Sequence, residues 1–172
     1  MVFSSIIFVF LFLPGVMFFY FVIPKKFLGM RNLVLLGFSL FFYFYGEPKY
    51  VIIMLASVLM NYIFGLLLGA TSNHAKLIVV LCVISNLLIL VYFKYLSFIT
   101  ENINSFFSLG IKLPSIIMPI GISFFTFQAM SYVLDVYNKK AKAQKNPLDV
   151  ALYISMFPQL MAGPIVRYET VA

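Results

Sequence analysis

An all-α, multi-pass membrane protein is predicted by three observations. Hydrophobic residues make up 63% of the 172-residue chain and charged residues 10%, against about 45–50% and about 25% in soluble domains. Mean hydropathy is +1.06, and a core of this size could not hide so much apolar surface from water, so the solvent is a bilayer. The apolar residues fall into runs of the roughly 20 residues that a spanning helix needs. The basic residues collect in alternate loops between those runs, the positive-inside pattern. The formal charge of +7 therefore reads as topology, and nucleic-acid binding is not expected.

Taken in order, the first run is Phe3 to Ile23, broken midway by Pro14-Gly15 and stopped by Pro24-Lys25-Lys26. It lacks a positive n-region and is longer than the about 7–15 apolar residues of a signal peptide, so it is read as a retained first helix. The second, Asn32 to Tyr45, is ended by Gly46-Glu47-Pro48, and its aromatic end from Phe41 suits a membrane interface. The third runs from Lys49 to Gly69, with Pro48 fit for a first turn. After a polar turn, Thr71 to His74, the fourth runs from Leu77 to about Ile99. Glu101 to Pro114 is less apolar and reads as an interfacial segment. The fifth helix is placed at Ile116 to Tyr137, bent near Pro119 and Gly121. Pro147 opens a sixth segment that Pro158 interrupts and Gly163-Pro164 stops. A helix broken inside a bilayer needs protein or water for its freed backbone groups, so this segment is either a sixth span or re-entrant.

The first, third and fifth loops hold Lys25, Lys26, Arg31, Lys76, Lys139, Lys140, Lys142 and Lys145. The others hold or border Lys49, Lys94 and Lys112, offset by Glu47 and Glu101. This asymmetry puts the N-terminus outside and the lysine loops in the cytoplasm. No internal repeat, low-complexity tract or domain boundary interrupts residues 1–172.

Catalytic groups are sparse. Cys82, the one cysteine, sits in an apolar run and reads as a packing residue. His74, the one histidine, lies in a polar turn without a carboxylate or second ligand nearby, so it is read as a solvated loop residue. Asn61 and Asn86 lie deep in their helices and read as interhelical glue, and Lys94 as a snorkelling lysine. Glu47 and Glu101 do not make an acid/base pair. There is no Gly-rich phosphate loop, nucleophile elbow or metal-ligand spacing, and neither metal nor cofactor is expected. Gln128, Ser131, Tyr132 and Asp135 recur at i, i+3, i+4 and i+7, which makes one face of the fifth helix polar. That face is either interhelical hydrogen bonding or a cavity wall, with Asp135 near the lysine loop. Arg167, after the Gly-Pro stop, either holds an anion or marks the membrane surface.

Five blocks, in order, carry a family resemblance: Phe3 to Pro14, Phe42-Tyr-Phe-Tyr-Gly-Glu-Pro-Lys-Tyr50, Asn61-Tyr62, Tyr92-Phe-Lys-Tyr95, and Pro119 to Arg167. The last contains Pro119-Ile-Gly-Ile-Ser-Phe-Phe-Thr-Phe-Gln128 and Gln159-Leu-Met-Ala-Gly-Pro-Ile-Val-Arg167-Tyr. Together they resemble the membrane-bound O-acyltransferase family, in the bacterial branch of the alginate-acetylating members and their peptidoglycan- and D-alanine-transferring relatives; the transferred group this implies is acetyl, with D-alanyl or a longer acyl group as the alternative. The resemblance implies that residues 1–172 are the N-terminal part of a single transmembrane domain in a bacterial cytoplasmic membrane. It implies a central funnel, entered by a cytoplasmic thioester donor on one side and by a hydroxyl of an exported polysaccharide on the other, with accessory acetylation proteins as partners. It also implies a histidine general base, in a later motif rich in Arg and Trp that these residues do not contain, so no catalytic residue is assigned here and the chain alone is expected to be inactive. Gln128, Asp135, Gln159 and Arg167 are the candidate wall residues of the acyl path. A transporter or channel uses broken helices with polar residues at depth too, and a non-catalytic scaffold of a polysaccharide-modifying complex is the third reading.

Overall fold

A computed structural model describes residues 5–71, 73–107, 118–163 and 166–170. Among these, every regular element is helical. They are α1 (Leu13–Val22), α2 (Leu28–Gly46), α3 (Val51–Ala70), α4 (Ala75–Leu90), α5 (Leu96–Phe107), α6 (Ile122–Tyr137), α7 (Pro147–Ser155) and α8 (Phe157–Ala162). Three helices are long and apolar enough to cross a membrane: Leu28–Gly46, Val51–Ala70 and the continuous Ala75–Phe106. The apolar Phe8–Val22 stretch is shorter, and α6 has 16 residues, so the described residues show fewer full-length spans than the five expected.

Several boundaries differ from the sequence reading. Pro14 does not break the first helix. A π turn at Phe8–Phe12 precedes it, and the Leu13 N–H reaches back to the Phe8 carbonyl, so the widened turn absorbs the proline. The second helix starts at Leu28 and takes in Arg31, a buried residue. Its guanidinium donates to the Ile23 carbonyl from Nε (2.9 Å) and Nη2 (2.6 Å) and lies 4.9 Å from the Tyr20 ring centre. Arg31 thus satisfies a carbonyl at the end of α1, a C-capping role added to its charge. The third helix begins at Val51, with Pro48 in the turn ahead of it.

The fourth helix does not stop at Ile99. It passes through a π turn at Val91–Tyr95, which holds the exposed Lys94, and continues as α5 to Phe107. Glu101 to Phe107 is therefore helix, and residues 108–114 of the expected interfacial segment lie outside the described residues. In α5, Thr100 and Asn102 bond back to carbonyls four residues earlier.

α6 starts at Ile122, after Gly121 takes a left-handed conformation (φ 77°) beyond Pro119; Ile116, the expected start, lies outside the described residues. A Cβ at Gly121 would also press on the Leu160 carbonyl, so glycine is needed there twice over. In the sixth segment the break falls at Met156, whose ψ of 115° is not helical, and Pro158 sits in the first turn of α8. Proline suits a first turn because its missing N–H has no helical partner there. Pro164 lies outside the described residues. With 9 residues, α7 is about 13 Å long, too short to span.

Both breaks are satisfied by α2. Tyr43 Oη donates to the Ile120 carbonyl (3.1 Å), and the Phe157 N–H donates to Ser39 Oγ (3.3 Å). Ser39 and Tyr43 are one turn apart, so one face of α2 meets both irregular segments. α6 is the centre of the packing, against α3, α4, α7 and α8. Its buried side includes Phe125, Ala129, Tyr132 and Val133, while Phe124, Phe127 and Leu134 are exposed, as a lipid-facing side requires. A separate aromatic cluster, Phe8, Phe12, Phe42 and Phe157, ties the first helix to α2 and α8.

Candidate functional site

The polar face predicted on α6 is real and turned inward. Gln128, Tyr132 and Asp135 are buried and Ser131 half-buried. Gln128 Nε2 donates to Gln159 Oε1 (3.2 Å) and to the Val166 carbonyl (3.2 Å). The same carbonyl accepts from Tyr153 Oη at 2.6 Å. Residues 166–170 therefore form a strap along the polar face, held by side chains of α6 and α7. Further along, the Glu169 N–H donates to Asp135 Oδ2 (3.3 Å), and the Tyr168 ring meets Tyr132 and Tyr153 edge-on at 4.8 and 5.0 Å. Tyr168 lies outside the spanning helices, and burial pushes its phenol above the ordinary value, so it stays a neutral hydroxyl.

Of the four predicted wall residues, the structure joins Gln128 directly to Gln159. Asp135 touches the same strap at its other end. Arg167 does not join them. Its side chain is exposed and reaches Glu169 (3.4 Å), which also lies 3.9 Å from Lys140. Exposed pairs of this kind contribute about 0–1 kcal/mol.

Gln159 borders two hollows. One, shared with Gln128 and Phe125, is about 10 Å³, room for about one water. The other, about 340 Å³, is shared with Tyr153, Tyr168, Asn32 and Asp149. Its rim is built around Asp149, which accepts from Asn32 Nδ2 (3.3 Å), Gln144 Nε2 (3.3 Å) and Asn146 Nδ2 (3.1 Å). Asn146 also caps α7 through the Leu148 N–H. The sequence reading missed Tyr153, Tyr168 and Asp149. A signal for Asp149 was available, since Asn146-Pro147-Leu148-Asp149 is a cap, a first-turn proline and a first-turn acid.

Other candidates take different places. His74 is exposed at the start of α4. Asn61 and Asn86 exchange reciprocal bonds, Asn61 Nδ2 to Asn86 Oδ1 (3.1 Å) and Asn86 Nδ2 to Asn61 Oδ1 (2.9 Å). Each also bonds a carbonyl four residues back, and Cys82 Sγ donates to Asn61 Oδ1 (3.3 Å). Among the described residues no group of three His, Cys, Asp or Glu is placed to hold a metal ion.

The arrangement offers amide and hydroxyl hydrogen bonding beside apolar walls, chemistry that can hold a polar group. Comparison with known proteins gives several relatives. Probable alginate O-acetylase AlgI of Pseudomonas aeruginosa is 37% identical over 176 residues, covering 98% of this chain and 33% of the relative. The protein of the same name from Azotobacter vinelandii is 37% identical, covering 98% and 35%. Peptidoglycan O-acetyltransferase of Helicobacter pylori is 32% identical over 198 residues, covering 98% and 37%. No family model and no solved structure matches the chain. The chain spans about a third of the length of the curated relatives it matches. The similarity runs over nearly the whole of this chain, to proteins named for O-acetylation of alginate and of peptidoglycan.

Proposed function

We propose that these residues form the N-terminal part of a bacterial membrane O-acyltransferase that carries an acyl group, acetyl in this branch, from a cytoplasmic thioester donor to hydroxyls of an exported polysaccharide. The observation that carries the reading is the similarity over 98% of the chain to proteins named for O-acetylation of alginate and of peptidoglycan. Gln128 and Gln159, with the Val166 carbonyl, wall the acyl path, and Asp135 anchors the strap that presents that carbonyl. The general base comes from outside this chain. His74 does not serve, because it is exposed in a turn and a base needs to reach the hydroxyl within a hydrogen bond. The N-terminus lies outside and the lysine loops in the cytoplasm.

Two preparations test this. The 172-residue chain alone is expected to transfer no acetyl group to alginate and to support no substrate flux in liposomes. The same chain, grafted in place of the matching stretch of the P. aeruginosa relative, is expected to restore acetyl esters on exported alginate. Flux through the chain alone favours a transporter. A graft that reaches the membrane folded and leaves the polymer unacetylated sinks the acyltransferase reading.

A further inference from the structure

The loop from Asn138 to Asn146 follows α6 and is pinned at both ends. The Lys140 and Ala141 N–H groups donate to the Asp135 carbonyl (2.9 and 3.2 Å). The Gln144 N–H donates to Tyr132 Oη (3.1 Å), and Tyr62 Oη donates to the Lys145 carbonyl (2.7 Å). Its side chains sort by face. Ala141 and Ala143 are half-buried, and Ala143 packs so closely over Gly69 that a Cβ at Gly69 would strike it. Lys139, Lys140, Lys142 and Lys145 are all exposed. Four cations are therefore displayed by an ordered scaffold. Only Lys140 meets a carboxylate among the described residues, the partly exposed Glu169 at 3.9 Å.

Beneath these lysines runs a groove of about 750 Å³ whose floor is Leu66, Leu68, Gly69, Ala70 and Val136. That size falls within the ~300–1,000 Å³ of ordinary ligand sites. Apart from Val136 of α6, the floor belongs to the C-terminal end of α3, a helix long and apolar enough to cross the bilayer. The groove thus lies where acyl chains give way to headgroups, with an apolar floor and a cationic rim. A free phosphate would have no use for the floor, and a neutral lipid none for the rim.

We propose that this groove binds one anionic phospholipid, its phosphate among Lys139, Lys140, Lys142 and Lys145 and its upper acyl chain along Leu66, Leu68 and Ala70. The site is independent of acyl transfer. It fixes the α3–α6 end of the bundle, because the same loop is bonded to Tyr62 on α3 and to Tyr132 on α6.

The test is electron spin resonance of spin-labelled phosphatidylglycerol against spin-labelled phosphatidylcholine, with the full chain reconstituted in phosphatidylcholine vesicles. The wild-type chain is expected to prefer phosphatidylglycerol by about three- to ten-fold, from the attraction expected of several lysines near a surface. K139Q/K140Q/K142Q/K145Q should abolish the preference, with helicity unchanged because all four side chains are exposed. K25Q/K26Q, on a different loop, should leave it within about two-fold of wild type. Soluble glycerophosphate at millimolar concentration should not displace the lipid. No preference in the wild type overturns the proposal, and so does a preference that survives the quadruple change. An equal loss per charge removed from either loop reveals only a diffuse field, and displacement by glycerophosphate reveals a soluble-anion site; either result also overturns it.

Discussion

Among the described residues, two amide pairs join helices, and their surroundings differ. Asn61 and Asn86, between α3 and α4, are fully buried, bond each other twice, and spend their remaining protons on carbonyls of their own helices. Gln128 and Gln159, between α6 and α8, share one bond, and the second Gln128 proton goes to a main-chain carbonyl of the strap. Gln159 is only half-buried and faces two hollows. The asparagine pair is closed and has nothing left to offer a ligand. The glutamine pair is open, so the same amide chemistry is sealed between helices in one place and borders hollows in the other.

The largest expected effect probes the closed pair. Asn61→Leu should lower stability by about 1–3 kcal/mol, because Asn86 is left buried without its partner. Asn61→Leu with Asn86→Leu should recover much of that loss, since no orphan remains. Denaturant unfolding of the detergent-solubilised chain would show this, and additive losses would mean that the two amides are not coupled.

Gly65→Ala comes next. Its Cβ would collide with the Tyr132 ring and hydroxyl, so overpacking should cost about 1–3 kcal/mol. Adding Tyr132→Leu should relieve most of the clash. If it does not, α3 and α6 are not in contact there, and the α6 polar face is not fixed by that seam.

Gln128→Leu sharpens the comparison most directly. A single membrane hydrogen bond averages about 0.6 kcal/mol, so stability should fall by less than about 1 kcal/mol. Acetyl transfer by the grafted P. aeruginosa protein should nevertheless drop about ten-fold, the equivalent of ~1.4 kcal/mol in barrier. A stability loss as large as that of Asn61→Leu, with transfer unchanged in what still folds, would make both pairs glue. The smallest effect belongs to Arg167→Gln, within about 0.5 kcal/mol by the same unfolding assay, because that side chain is exposed and its ion pair is with Glu169, itself at the surface.

Much of this fold is legible in residue pattern. The runs that became α2, α3 and α4 announce themselves by length and hydropathy, and the i, i+3, i+4, i+7 spacing from Gln128 to Asp135 gives the buried face of α6. The π turns at Phe8–Phe12 and Val91–Tyr95 leave no such trace, because one extra residue in a turn changes hydrogen bonding and not composition. Arg31 was counted among loop charges since sequence cannot show that the Ile23 carbonyl lies within its reach. For the site, Gln128 and Gln159 stood out because amides are costly in lipid. The strap did not, because its contribution at Val166 is a carbonyl that every residue type carries.

That last point bears on how the strap can change over generations. Any amino acid placed at 166 brings the same acceptor, so replacing the Val166 side chain leaves the hydrogen bonds from Gln128 and Tyr153 unaltered. What selection can act on is the route of the main chain, guided by the Tyr168 ring and the Asp135 carboxylate. Inherited variation that reroutes the strap should therefore accumulate at its anchors rather than at position 166.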